Sequence, residues 1–386
     1  MFSQSITSVA KNGIGKMKYS TTPTKIKTGI LLMNMGGPRT LDEVNSFLRN
    51  LFWDRDIMQL PAQKFLGKLI ADRRTKSIQD QYAQIGGGSE IEKWTKLQGE
   101  KMVELLDVKS KETGPHKYYI GFRYNEPMTK TALEEMMRDG ITNAVAFSQY
   151  FQYSCTTSGS NLNDLYKHQK IIDPNQSIKW SFIDRWGTHP LLVKVFADNI
   201  QKALEKVDPE HKDTAPILFS AHSLPLKVVF RGDPYTNEVA ATVGYVVSEL
   251  RRRGVKNPYR LVWQSKVGPL EWMGPSTEHV LKTINKNTPT PSVVLVPIAF
   301  TSDHIETLYE LGIEYKNLAQ ESGITNYVIA EPPNDNPSFI ECMADLVINK
   351  LDSKKPTYLN NNQVYMRCPG CEFDHCKTTK DWIRSF

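Results

Sequence analysis

Asp303, His304, Glu306, Glu310 and Glu314 crowd the stretch that follows an apolar run ending at Phe300, in a chain whose net charge is +6. Ser302 is placed to cap a helix beginning at Asp303. The i, i+4, i+8 spacing of Glu306, Glu310 and Glu314 then lines one stripe, drifting about 40° per step on an α-helix. Like charges at that spacing cost roughly 0.2–0.5 kcal/mol each. The helix dipole compensates only near the start, so Glu314 gains nothing from it. An ordinary solvated helix face would explain the row. A second reading is that carboxylates leading away from a buried strand conduct a hard or borderline divalent cation, or protons, with His304 as an added ligand.

His222, in "FSAHSLP", ends another apolar run. A histidine there is either a satisfied structural group or a base that titrates near neutrality. Opposed to Glu306 across a cleft, it would complete a base-plus-carboxylate relay. "CPGCEFDHC" sets Cys368, Cys371 and Cys376 within nine residues. Three thiolates so close predict a metal site that needs a fourth ligand, for which Cys155 and His375 are candidates. Spacing alone does not separate zinc from an iron–sulfur cluster. Cys342, within "FIECMADLVINKL", reads as core.

The elements that must position these groups alternate. Short apolar runs at 28–34, 118–122, 143–148, 178–183, 216–220, 259–264, 293–300 and 326–330 read as strands buried on both faces. Helical patterns separate them, which predicts an α/β fold with parallel sheets. The order repeats: "ILLMNMGGP" opens the first half as "ILFSAHSLP" opens the second, and "AVAFSQYFQYS" matches "VPIAFTSDHIE". We therefore expect two doubly wound, Rossmann-like lobes, 28–175 and 176–335, with a final helix at 336–352 packed across them and the cysteine extension running on to 386. Ligands of such sheets bind beyond the carboxyl ends of the strands. Those ends carry Met35, Arg123, Tyr124, Tyr150, His222, Asp303 and His304, so the expected site is the cleft between lobes.

"IGGGSEIEKW" (85–94) resembles a phosphate loop only superficially, since no Gly-Lys-Ser/Thr follows and a helical pattern precedes it. Its glycines are expected to end one helix, and Ser89 with Glu92 to form a capping box that starts the next. "IMQLPAQKFLGKLIADRR" (57–74) mixes Leu60, Phe65, Leu66, Leu69 and Ile70 with Lys64, Lys68, Arg73 and Arg74. That pattern suits either a buried amphipathic face or an apolar lip touching a membrane surface or a flat apolar ligand.

Composition narrows the classes. Apolar residues make up 40% of 386, and no apolar run approaches the roughly 18 residues of a membrane span. No segment joins basic clusters to aromatic platforms, which argues against nucleic acid. Residues 1–27 hold five lysines, eight Ser/Thr and no acid, as a transit peptide does, although arginine is missing.

Longer motifs carry a resemblance. "LLMNMGGP", "QYAQIGGGS", "YYIGFRY", "LFSAHSLP", "NPYRLVWQSKVGP" and "PIAFTSDHIETLYE" resemble the protohaem ferrochelatases over nearly all of 28–376. The terminal cysteines with Cys155 resemble the animal-type form, which implies a 2Fe–2S cluster on Cys155, Cys368, Cys371 and Cys376. The resemblance further implies insertion of ferrous iron into protoporphyrin IX with release of two protons, in a homodimer. It places the enzyme on the matrix side of the mitochondrial inner membrane. By position His222 resembles the acceptor of the pyrrole proton, and Asp303, His304, Glu306, Glu310 and Glu314 resemble an acidic conduit. Met35, Arg74, Tyr82, Ser89, Arg123, Tyr124, Tyr150, Trp272 and Phe300 match positions around the porphyrin. His189 and Asp345 match residues given catalytic or metal-handling roles. Phe151, Gly187 and Glu90 stand where relatives commonly carry proline. Two rivals remain: a porphyrin carrier that does not metallate, which would have no use for the acidic row, and a cobalt chelatase for a more polar tetrapyrrole, which the apolar lip disfavours.

Overall fold

The computed structural model describes residues 26–286, 289–352, 368–371 and 373–386. All but the last two residues of the basic leader at 1–27 lie outside the described residues.

Among the described residues, eight parallel strands form two four-stranded sheets: β1 (Thr28–Asn34), β2 (His116–Phe122), β3 (Asn143–Ser148) and β4 (Lys179–Ile183), then β5 (Ile217–His222), β6 (Tyr259–Gln264), β7 (Ser292–Pro297) and β8 (Asn326–Ile329). The strand orders are β2-β1-β3-β4 and β6-β5-β7-β8, so the second half repeats the plan of the first. In each sheet the chain steps to one side of its first strand and then returns to the other. The switch points thus fall between the carboxyl ends of β1 and β3 and of β5 and β7, where α/β sheets bind ligands.

All eight expected strands form. The expected lobe boundary at 175 falls too early, because β4 pairs with β3 from Asn143↔Lys179 to Phe147↔Ile183 and closes the first sheet. The run at 293–300 ends as a strand at Pro297, and the chain then turns with the Phe300 N–H donating to the Pro297 carbonyl at 3.4 Å.

The two sheets share one core. Ile30, Leu32, Val145 and Phe147 of the first join Phe219, Val294 and Val296 of the second around Phe339, Cys342 and Leu346. The last three lie on the helix Pro337–Leu351, which touches β4, the helix Ile91–Lys109 and the helix Pro190–Leu204, as expected of an element packed across both halves. Polar ties add to the apolar ones: Gln98 Nε2 donates to the Asn334 carbonyl at 2.8 Å, and Lys101 Nζ lies 2.6 Å from Asp335 Oδ2.

Phe151 is fully buried and meets Trp186 edge-on at 4.8 Å between ring centroids, with Phe196 and Phe339 beyond. Gly187 is its neighbour: a Cβ there would lie 3.4 Å from the Phe151 carbonyl and would collide with the Thr242 hydroxyl. Two of the departures from proline thus occupy one spot, an aromatic side chain filling the core beside a residue with no side chain. Glu90 faces solvent and accepts from Lys93 and from the Trp94 indole N–H.

Gly86 and Gly87 adopt φ of +104° and +90°, and the Gly87 N–H returns to the Tyr82 carbonyl at 2.8 Å, ending the helix Gln63–Ala83. The expected capping box does not form. The Ser89 hydroxyl accepts from Ile91 N–H at 3.3 Å, while Glu92 pairs forward with Lys96. The loop instead closes on the β1 turn, where the Ser89 N–H donates to the Pro38 carbonyl at 2.7 Å and Gly37 leaves room for the Ser89 side chain.

Candidate active site

His222 ends β5 with its Nδ1 2.6 Å from the Ser223 carbonyl. A carbonyl only accepts, so Nδ1 carries the hydrogen and the Nε2 lone pair faces outward. Nε2 lies 3.6 Å from Glu306 Oε1. The other oxygen of Glu306 is 3.1 Å from His304 Nε2, and His304 Nδ1 lies 2.9 Å from the Ser302 carbonyl. By the same reasoning His304 Nδ1 carries hydrogen, so the contact with Glu306 holds only if a proton sits between them. Burial disfavours charge on His304, but the hydrogen bond and charge of Glu306 outweigh it and hold the imidazole above its ordinary value. Burial likewise opposes ionisation of Glu306, and the charge that His222 carries when protonated, with the His304 bond, overcomes it, leaving the carboxyl below its ordinary range. One carboxylate therefore bridges two imidazoles.

The expected helix start is corrected. Ser302 does not cap, and the regular turn begins at Glu306 as a π-helix through Glu314. No side chain caps it; Asp303 braces its start instead, its Oδ1 accepting from the Thr307 hydroxyl at 3.0 Å and its Oδ2 from Asn334 Nδ2 at 2.8 Å. The wider i→i+5 turn brings residues four apart closer to one line than an α-helix does. Glu310 is held by the Gln264 amide at 2.9 Å, Ser265 N–H at 2.8 Å and the Tyr315 hydroxyl at 2.8 Å. Glu314 is raised above its ordinary value by burial and by the charges of Glu310 and Glu278.

Apolar and aromatic groups surround the cluster of His222, Glu306 and His304. Trp272 stands 6.5 Å from the His222 ring, and its buried indole N–H has no hydrogen-bond partner among the described residues. Phe300 lies 4.9 Å from the His304 ring. Burial and the charge of Glu306 push the phenols of Tyr82 and Tyr150 up, so both remain neutral donors. Met35, Tyr82, Tyr124 and Ile305 belong to one apolar cluster, which joins the first lobe's wall to the π-helix. Two arginines differ in kind. Arg123 is tied to Asp54 at 3.2 Å and Asp164 at 3.5 Å. Arg74 lies over the Phe52 ring at 5.9 Å and pairs with no carboxylate among the described residues. His189 accepts from Leu191 N–H at Nδ1 and meets Asp345 at Nε2, 3.0 Å, clamping one helix start against the helix Pro337–Leu351.

The lip is divided. Phe65 and Leu69 are exposed, 71% and 56%, with Trp53 beside them; Leu60, Leu66 and Ile70 are half-buried, and Ile70 packs into the apolar cluster behind.

The terminal helix Asp374–Ile383 seats Trp382 and Ile383 against Leu162 and Phe182 of the first lobe. This brings Cys368, Cys371 and Cys376 to one pocket with Cys155, which opens a π-turn (Cys155–Gly159) after β3. A hydrogen bond from Cys155 to Cys368 holds the first thiol up and the second down. Of the two candidates for fourth ligand, Cys155 lines the pocket, whereas His375 Nε2 is engaged by Asp56 Oδ1 at 2.6 Å. Lys380 also lines it, its buried amine without a hydrogen-bond partner among the described residues, as a site built for a negatively charged centre requires. Four cysteines lining one pocket beside this cation fit a sulfur-ligated metal or cluster, although the ligand atoms of Cys155 and Cys368 lie within 4.8 Å of each other together with Asp233, while Cys376 groups with Asp56 and His375.

Sequence reasoning missed Asp54, Asp56, Asn163 and Gln264. Each lies in a segment that reads as ordinary surface or strand, and each acquires its role only through partners 46 or more residues away.

Known proteins resemble this chain along almost its whole length. The ferrochelatase family model matches residues 27–351, short of the terminal cysteines. A mitochondrial ferrochelatase of Bos taurus is 54% identical over 94% of this chain and 85% of its own length. That of Xenopus laevis is 52% identical over 99% and 91%, and that of Drosophila melanogaster 48% over 93% and 92%. With a repeated parallel-sheet plan, a carboxylate shared by two imidazoles at its switch point and identity on this scale across almost the whole length, the chain belongs to the ferrochelatase family and is a metal chelatase.

Proposed function

We propose that this chain completes haem synthesis by inserting ferrous iron into protoporphyrin IX, with His222 as the base that removes the inner N–H protons. The observation that carries the assignment of the base is its tautomer: the Ser223 carbonyl occupies Nδ1, leaving the Nε2 lone pair free beside Glu306. The reaction exchanges two pyrrole protons for one metal ion. A proton taken at Nε2 makes an imidazolium that Glu306 stabilises, and the proton already shared with His304 lets charge move on to the carboxylates at 310 and 314. The flat apolar ring would lie between Met35, Tyr150, Trp272 and Phe300, with Tyr82, Tyr124 and Ser89 at its edge. Arg74, with no carboxylate partner among the described residues, is the cation for a propionate. Asp303 serves the conduit by fixing its first turn, and the His189–Asp345 pair by fixing the helices behind it. A carrier would have no need of paired imidazoles.

Cys155, Cys368, Cys371 and Cys376 would hold a 2Fe–2S cluster. Such a cluster supplies a one-electron centre, and its ligands tie the terminal extension to the first lobe. The exposed Phe65 and Leu69 with Lys64, Lys68 and Arg73 suit peripheral attachment to a membrane, and no described helix is long and apolar enough to cross one. The relatives' mitochondrial names and the lysine-rich leader support a mitochondrial enzyme, on the matrix face of the inner membrane. The family resemblance supports a homodimer, which light scattering would report as twice 44.0 kDa.

Anaerobic addition of ferrous iron should quench protoporphyrin fluorescence in the presence of the protein. His222→Ala should slow this by about 100-fold or more, the range a general base supplies. Undiminished turnover in that variant overturns the assignment. Purified protein should absorb in the visible, and Cys371→Ser should abolish the colour; a colourless zinc protein contradicts the cluster.

A further inference from the structure

A continuous set of hydrogen bonds joins the cysteine pocket to the porphyrin wall. At one end Asn163 Nδ2 lies 3.4 Å from Cys376 Sγ and donates to Asp56 Oδ2 at 3.0 Å. His375, adjacent to Cys376, meets the other oxygen of Asp56 at 2.6 Å. The Asp56 N–H donates to Asp54 Oδ1 at 2.9 Å. At the far end Asp54 Oδ2 accepts from the Tyr124 hydroxyl at 2.6 Å and the Ser160 hydroxyl at 2.5 Å, and pairs with Arg123 at 3.2 Å.

Both ends rest on the same elements. Ser160, Asn163 and Asp164 lie at i, i+3 and i+4 on the helix Ser160–Ile172, so one face presents Asn163 to the cysteines and Ser160 with Asp164 to Arg123. That helix continues directly from the turn carrying Cys155. Asp54 is 5% exposed. A carboxylate so buried is tolerated only with its partners in place, and its two oxygens connect the two halves of the network.

We propose that Asp56 and Asp54 are positioning residues: a two-carboxylate relay through which the cysteine centre sets Arg123 and Tyr124 at the porphyrin pocket. The relay rests on the reading of Arg123 and Tyr124 as porphyrin neighbours. It gives the terminal extension a task in the reaction without contact with substrate. Asn163 and His375 hold Asp56 from the Cys376 side; a centre ligated by Cys376 would fix both partners and, through the Asp56 N–H and Asp54, steady the anchor of the guanidinium.

The test is equilibrium binding of protoporphyrin IX to the full-length, metal-loaded protein, followed by fluorescence. Asp56→Asn should keep the visible absorbance of the centre while weakening binding by about tenfold, within the span of couplings carried through packed networks. Arg123→Ala should weaken binding as well, and the double variant should lose less than the sum of the two single losses, because both act along one path. A structural defect would instead add its loss to that of Arg123→Ala. Unchanged affinity in Asp56→Asn, or additive losses, overturns the relay. Should Asp56→Asn shed the metal, Asn163→Ala takes its place in the same cycle: non-additive weakening supports the relay, and unchanged affinity or additive losses overturn it. Wild-type protein that fails to bind protoporphyrin overturns the reading of the pocket, whatever the variants do.

Discussion

His304 and Glu306 stabilise each other, and the sign of their pH dependence differs. The imidazole is held above its ordinary value of 6.5, so its contribution to stability is fully present below that value and is lost as pH rises through the raised one. The carboxyl is held below 4.5, so its contribution is present above 4.5 and is lost as pH falls through the depressed value. His304→Asn should therefore lower the melting temperature most near pH 6 and progressively less toward alkaline pH, as calorimetry across a pH series would read. A difference that grows with pH would contradict the shared proton. The residues of this pair were legible in the sequence, because acids and a histidine follow a buried strand. Their tautomers were not, since these depend on carbonyls at Ser302 and Ser223 that only the fold aims at the rings. Asp54 was illegible for a related reason: within "FWDRD" it reads as a solvated acid, and its partner Tyr124 lies 70 residues away.

Among the elements, the strands were the most legible, since a strand covered on both faces is apolar throughout and needs no partner to be recognised. The π-helix was not. Nothing in "ETLYELGIE" distinguishes an i→i+5 turn from an α-helix, because the widened turn follows from how Asp303 and Thr307 start the element and how Gln264 and Ser265 hold Glu310. Gly312 marks it: a Cβ there would touch the Thr307 carbonyl, five residues back, at 3.4 Å. Such bulges persist where function requires them. Deleting Gly312 should return the segment to α-helical winding, at about 100° per residue, and so rotate Glu310 off the line it holds with Glu306 in the wider turn. Iron insertion should then fall by roughly tenfold or more, consistent with a lost electrostatic group in the site, while protoporphyrin affinity changes little. Equal losses in affinity and turnover would mean that the π-helix shapes the pocket and does not conduct.

Over the whole molecule, two copies of one sheet plan share a single core, and the edge of that body carries Phe65, Leu69 and Trp53 in the open. The sequence left Phe65, Leu69 and Ile70 either buried or presented, and the helix resolves it by turning Ile70 inward and Phe65 and Leu69 out. Protoporphyrin prefers a bilayer to water, so a lip resting on the membrane shortens the transfer. Inserting Phe65 and Leu69 into the acyl boundary contributes together about 2 kcal/mol after allowing for the parts already shielded, or roughly thirtyfold in partition. Lys64 and Arg73 add about 1 kcal/mol each on anionic lipid. Lys68 adds less, since it pairs with Asp72 at 2.6 Å. Phe65→Ser with Leu69→Ser should thus lower sedimentation with phosphatidylserine vesicles about thirtyfold, and added salt should weaken wild-type binding without abolishing it. Turnover on vesicle-borne protoporphyrin should fall far more than on a water-soluble porphyrin. Sedimentation indifferent to both substitutions would overturn the reading of this lip as a membrane contact.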